Sequence, residues 1–100
     1  MTLRDKQAKF ALMVAGLIKW AFQNGYELTF GDAYARDGHK HSSLHYDRLA
    51  VDFNLFRNGV FLFKTEDHEP LGIFWESIGG SWGGRFGDGN HYSLSHEGKR

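Results

Sequence analysis

Cysteine is absent from the 100 residues, which excludes disulfides, thiolate catalysis and cysteine-ligated zinc, and leaves the chain able to work in a reducing or an oxidising compartment. Net charge is missing too. Twelve Lys and Arg balance twelve Asp and Glu, so no overall field draws the chain to nucleic acid or to an anionic membrane, and no nucleic-acid partner is expected. Long apolar runs are lacking: Lys9 and Lys19 bracket a stretch too short to span a bilayer, and the N-terminus carries no apolar run of signal-peptide type. A soluble protein without stable membrane insertion and without its own export signal is expected. Internal repeats, linkers and low-complexity tracts are not found, and proline occurs once. A chain of this length supports one domain over residues 1–100, with a single modest core that buries roughly 60 to 70% of the unfolded surface.

What is present reads as an α+β protein. Thr2 can cap a helix with Asp5 at the capping-box position, and Phe10, Met13, Val14, Leu17, Ile18 and Ala21 follow at helical spacing until Asn24-Gly25. One long amphipathic helix over about 2–24 is predicted, with its apolar stripe as core. Tyr26, Leu28 and Phe30 alternate with polar residues and form a strand that stops at Gly31-Asp32. The next segment, "DAYARDGHKHSS", is a loop rich in Gly, His and charge, either a seat for chemistry or a plain surface loop.

A second strand over about 49–56 meets Asn58-Gly59 and continues into "VFLF", the pattern of an antiparallel hairpin. Asp67, Glu69 and Pro70 suit the start of a second helix, whose stripe of Leu71, Phe74, Trp75 and Ile78 ends at Gly79-Gly80. The final stretch, "SWGGRFGDGNHYSLSHEGKR", reads as loop with a short strand near 91–94. The predicted fold is a small antiparallel sheet with a long N-terminal helix, a second helix packed on it, and a site on the sheet and adjoining loops.

Asp52 is the one acid within the second strand, on the face opposite Leu49, Val51, Phe53 and Leu55. An acid there needs water, a partner or a metal. Arg48, Arg57 or Arg85 could serve as the partner in a structural ion pair. Without cysteine, a metal would rely on His, Asp or Glu. His45, seven residues before Asp52, and His91 from the last strand would complete a triangle, and three protein ligands with an open fourth position describe a catalytic zinc site. Asp88, in "GDGN", is by itself a good turn residue.

These residues also carry a resemblance. Ser43, His45, Ala50 and Asp52 fit the SxHxxGxAxD pattern of the zinc cell-wall peptidases, which include D-Ala-D-Ala carboxypeptidases, vancomycin-resistance dipeptidases and phage L-alanyl-D-glutamate endolysins. The downstream "WGGRFGDGNHYS" resembles the WGG...DxxH element of that family, and the likeness covers Tyr26 to Leu94. One position departs: Arg48 stands where the pattern has Gly. The resemblance implies that His45, Asp52 and His91 ligate Zn2+, that Asp88 is the catalytic carboxylate, and that Arg36 binds substrate or stabilises the oxyanion. Ser43, His41 and Trp82 then become candidate substrate or supporting contacts, although His41 also suits a solvated loop and Trp82 the core. Arg36 has the bland alternative of an exposed loop charge. His39, His68 and His96 remain outside the motifs.

The activity implied is that of a zinc metallopeptidase, an endolysin-like peptidoglycan hydrolase acting on the stem peptide of the bacterial wall. Zinc would lower the pKa of water from about 15.7 towards 7, with Asp88 as general base. The expected bond is L-alanyl-D-glutamate, as in phage endolysins that gather in the host cytoplasm and reach the wall at lysis. Removal of D-Ala from D-Ala-D-Ala termini is the enzymatic alternative. A zinc-stabilised phage structural or wall-binding module without turnover is the other. A monomer is expected, and another divalent ion can replace zinc.

Overall fold

The computed structural model describes residues 1–32 and 44–98. Helix α1 (Leu3–Gln23) opens on a complete capping box: Asp5 N–H donates to the Thr2 hydroxyl at 3.1 Å, and Thr2 N–H donates to the Asp5 carboxylate at 3.2 Å. Both bonds satisfy donors that the first turn leaves without partners. Phe10, Met13, Leu17 and Ala21 form the buried face, as their spacing predicts. Asn24 closes the helix, and Gly25 at φ 84° turns the chain into strand β1 (Glu27–Phe30).

Strands β2 (Ala50–Arg57) and β3 (Val60–Leu62) form the expected hairpin. Asn58 at φ 52° and Gly59 at φ 78° are both left-handed, the geometry that suits a two-residue turn to the twist of its strands. A 3-10 turn (Thr65–His68) leads into helix α2 (Glu69–Ser77), with Pro70 in its first turn where no backbone donor is required. Strand β4 (Ser81–Trp82), a second 3-10 turn (Gly83–Phe86) and strand β5 (His91–Ser93) complete the described fold. The antiparallel sheet runs β1-β2-β5-β4, with β3 also paired to β2.

β2 is the spine of this arrangement. β1 lies along one edge, and β3 and β5 share the other, at residues 55–57 and 50–52 respectively. Val51, Phe53 and Leu55 alternate into the core beside Leu71, Trp75 and Tyr92, while Asp52 and Asn54 lie on the other face, half-buried. Trp75 joins the layers: its ring meets Phe10 edge-on at 5.8 Å, and its N–H donates to the Ser93 carbonyl at 2.9 Å. Among the described residues no helix is long and apolar enough to cross a membrane.

Candidate metal centre

The centre is built from one turn and one rung of the sheet. In the turn before β2, Leu49 N–H donates to the Leu44 carbonyl at 2.9 Å and Arg48 N–H to the His45 carbonyl at 3.2 Å, with Arg48 left-handed at φ 57°. That pair of bonds around a left-handed residue is the closure found at helix C-termini, where glycine is favoured because it has no Cβ to clash. The glycine of the motif thus has a conformational reason, and Arg48 adopts the same conformation at some cost in strain. Leu44 and Leu49, at the two ends of the closure, are both buried. They fix the turn from which His45 projects, and so its approach to β2.

Asp52 lies directly opposite His91 across β2 and β5. The Asp52 N–H and C=O both bond towards β1, to the Asp32 carbonyl and the Gly31 N–H, while Phe53 N–H donates to the Asn90 carbonyl. Asp52 and His91 therefore form a non-hydrogen-bonded pair, the kind whose side chains stand closest. His45 Nε2 lies 3.2 Å from Asp52 Oδ1, and His91 Nδ1 lies 3.3 Å from the same oxygen. The imidazole centroids are 5.3 Å apart at 72°, and the donor atoms of all three side chains fall within 4.8 Å of one another.

These distances test whether a metal fits. In a tetrahedral site with ligands at about 2.0–2.1 Å, neighbouring ligand atoms stand about 3.3–3.4 Å apart. A charge-assisted N–H···O bond is shorter, about 2.7–2.9 Å. The two imidazole-to-carboxylate spacings lie nearer the first value, the three donors together span up to 4.8 Å, and two imidazoles with one carboxylate form a donor set that suits zinc and other divalent ions. The group can hold a metal ion. Partial burial pushes the Asp52 carboxyl up, but hydrogen bonds and charge from His45 and His91 together outweigh it and hold the group at about 2. It is thus an anion at neutral pH. His91 Nε2 is buried and meets no hydrogen-bond partner among the described residues.

Two glycines shape the turn that holds His91, the last of the three candidate ligands, in place. A Cβ on Gly83 would sit 2.2 Å from the Asp88 carbonyl oxygen and 2.7 Å from His91 Cβ, and one on Gly84 would sit 2.1 Å from the Trp82 ring. The WGG element is therefore a packing device: backbone without side chains lets the turn close on the strand that carries His91.

Of the residues singled out in the sequence, His45, Asp52 and His91 are brought together. Asp88 is exposed; its N–H donates to the Gly83 carbonyl at 2.9 Å and its carbonyl accepts from His91 N–H at 3.1 Å, which ties it to the ligand strand. Its carboxylate is not one of the converging donors. Trp82 fills the core rather than walling a cleft, only 3% exposed, with its N–H donating to the Gly89 carbonyl at 2.7 Å. Arg36, His41 and Ser43 lie outside the described residues. Two of the arginines considered for an ion pair with Asp52 are engaged elsewhere: Arg57 donates to the Asn24 carbonyl at 2.6 Å, and Arg85 pairs with Glu76 at 2.7 Å.

His68 carried no signal in the sequence, since it sits alone ahead of a helix start. It is 2% exposed, and its Nδ1 lies 2.8 Å from the Tyr92 hydroxyl. Burial lowers its pKa to about 4, although the charge of Asp67 opposes the shift. Compared with models of known protein families the chain matches none, and comparison with curated proteins likewise gives no match.

Proposed function

We propose that the chain is a zinc-dependent peptidase of bacterial peptidoglycan, of the phage endolysin type, that hydrolyses the L-alanyl-D-glutamate bond of the stem peptide. The observation that carries this reading is the convergence of His45 Nε2 and His91 Nδ1 on Asp52 Oδ1, by residues in the order and spacing of the zinc cell-wall peptidases. A divalent ion held there supplies Lewis acidity and lowers the pKa of a bound water. Asp52 contributes one negative charge against two neutral imidazoles, so the loaded site keeps net positive charge for a carbonyl to approach. Asp88, tethered to the ligand strand by its carbonyl bond to His91 N–H, takes the proton of the attacking water and passes it to the leaving amine. Arg36 supplies the positive charge that steadies the oxyanion. The protein works on the wall after release from the host cytoplasm.

The test is digestion of purified peptidoglycan with mass analysis of the fragments. Chelation is expected to abolish release, and Asp88→Asn to keep one metal per chain while losing turnover. New L-Ala C-termini support the endopeptidase. Free D-Ala would instead identify a D-Ala-D-Ala carboxypeptidase, and stoichiometric metal with no release from any wall preparation would identify a non-catalytic module.

A further inference from the structure

A cavity of about 210 Å3 opens where β3 and β5 part along their shared edge of β2. Phe53, Phe61 and Phe63 line it together with His68, Asp88 and Asn90. Its frame is tightly fitted: a Cβ on Gly89 would lie 2.6 Å from Thr65 Cα, and the Gly89 N–H donates to the Thr65 hydroxyl at 3.3 Å.

The polar groups of this cavity have a definite sense. Tyr92 is fully buried, and a phenol keeps its proton at neutral pH. Among the described residues that hydroxyl has a single hydrogen-bond partner, His68 Nδ1. Donation from the phenol to Nδ1 satisfies both atoms, whereas the opposite direction would strand a buried phenolic proton. The His68 proton is therefore assigned to Nε2. This nitrogen bonds to no described residue, which leaves an unpaired donor on a buried residue that lines the cavity. The half-buried Asn90 side chain likewise bonds to no described residue, and its amide offers an acceptor as well as a donor.

We infer that this cavity binds a secondary amide, with the amide carbonyl accepting from His68 Nε2 and the amide N–H donating to the Asn90 side-chain carbonyl. The volume is below the roughly 300–1,000 Å3 that drug-sized ligands occupy, so it admits one amide unit and little more. Because His68 is uncharged at neutral pH, its donor suits a neutral carbonyl better than an anion, which it cannot meet with charge. Two sources offer this chemistry: a peptide backbone and the acetamido group of an amino sugar.

The experiment is a two-dimensional NMR titration of the full chain, with zinc and again with chelator, using N-acetyl-alanine N-methylamide and N-acetylglucosamine as separate probes. Either probe shifting His68 Nε2 and the Asn90 side-chain amide supports the site and names its source; both doing so supports the shared chemistry. A His68→Met variant, which keeps a weak acceptor for Tyr92 but has no N–H donor, is expected to weaken binding about tenfold through loss of one hydrogen bond, and unchanged binding would overturn the role of His68. No shift from either probe up to about 100 mM, where fragment-sized ligands bind detectably, or shifts confined to residues away from the cavity, would overturn the inference. A response in chelator separates this site from the metal centre, so its failure and failure of the peptidase reading are distinct results.

Discussion

Gly83→Ala adds one methyl group and replaces no candidate metal ligand, yet it should damage the candidate metal centre. The new Cβ would lie 2.2 Å from the Asp88 carbonyl oxygen and 2.7 Å from His91 Cβ, against an ordinary contact distance of about 3.5 Å. Neither neighbour is a flexible side-chain end, so the segment 88–91 must move by about 1 Å. The same segment is held by the Asp88 N–H bond to Gly83 and the His91 N–H bond to Asp88. Overpacking of this kind costs about 1–3 kcal/mol, and weakening one of those bonds adds about 1 kcal/mol. The metal is more demanding than the fold, because ligand distances tolerate only about 0.2 Å. We expect urea unfolding in chelator to show a loss of about 2–4 kcal/mol, and calorimetric titration to show zinc affinity reduced at least about tenfold. Gly16→Ala is the control. It lies within α1 with nothing within 4 Å of the added Cβ, and should raise stability by about 0.5–1 kcal/mol without changing zinc affinity. Wild-type stability and zinc affinity in Gly83→Ala would refute the claim that close backbone packing holds His91.

Arg48→Gly should relieve the left-handed residue before β2 and stabilise the metal-free chain by about 0.5–1 kcal/mol, after allowing for the freedom glycine gains on unfolding; a loss in urea unfolding would show that the Arg48 side-chain contacts outweigh the backbone strain. Asp52→Ala should abolish stoichiometric zinc binding in equilibrium dialysis, since it removes the one oxygen that both imidazoles approach; retained binding would place the metal elsewhere. His68 is held at about 4 against the ordinary 6.5, so the unfolded chain takes up a proton between those values and the native chain does not. Its contribution is complete above about pH 6.5 and is lost as pH falls towards 4, by at most about 3 kcal/mol. NMR titration of the imidazole should show its midpoint well below 5, and a midpoint near 6.5 would contradict its buried, neutral state.

Much of this architecture is legible in the residues. The capping pair Thr2 and Asp5, the apolar stripe from Phe10 to Ala21 and the Asn58-Gly59 turn are local signals, each decided within a few residues. Asp52 stood out as the one acid within a strand, and His45 and His91 could be joined to it by spacing and motif. The two-residue β4 could not be read, since a segment that short has no period to detect. The reason for the glycines at 83 and 84 was equally hidden, because the atoms they must avoid belong to Asp88, His91 and Trp82 and are known only once the chain has folded. His68 was invisible for a related cause: its burial and its bond to Tyr92 depend on a residue 24 positions away.

The pairing of Asp52 with His91 joins residues 39 apart in the chain, and this sets the order in which the protein can be assembled. As the chain is made, His45 and Asp52 emerge together, but they are two donors without a third. At about 5–20 residues per second the missing imidazole follows on the order of seconds later, and it reaches its place only when β5 docks on β2. A metal ion that arrives early meets a two-donor fragment that holds it weakly; one that arrives after docking meets three donors already in position. Stable metal binding by these three donors would therefore report a chain made and folded at least through residue 91, and a chain cut short before that residue lacks the third donor.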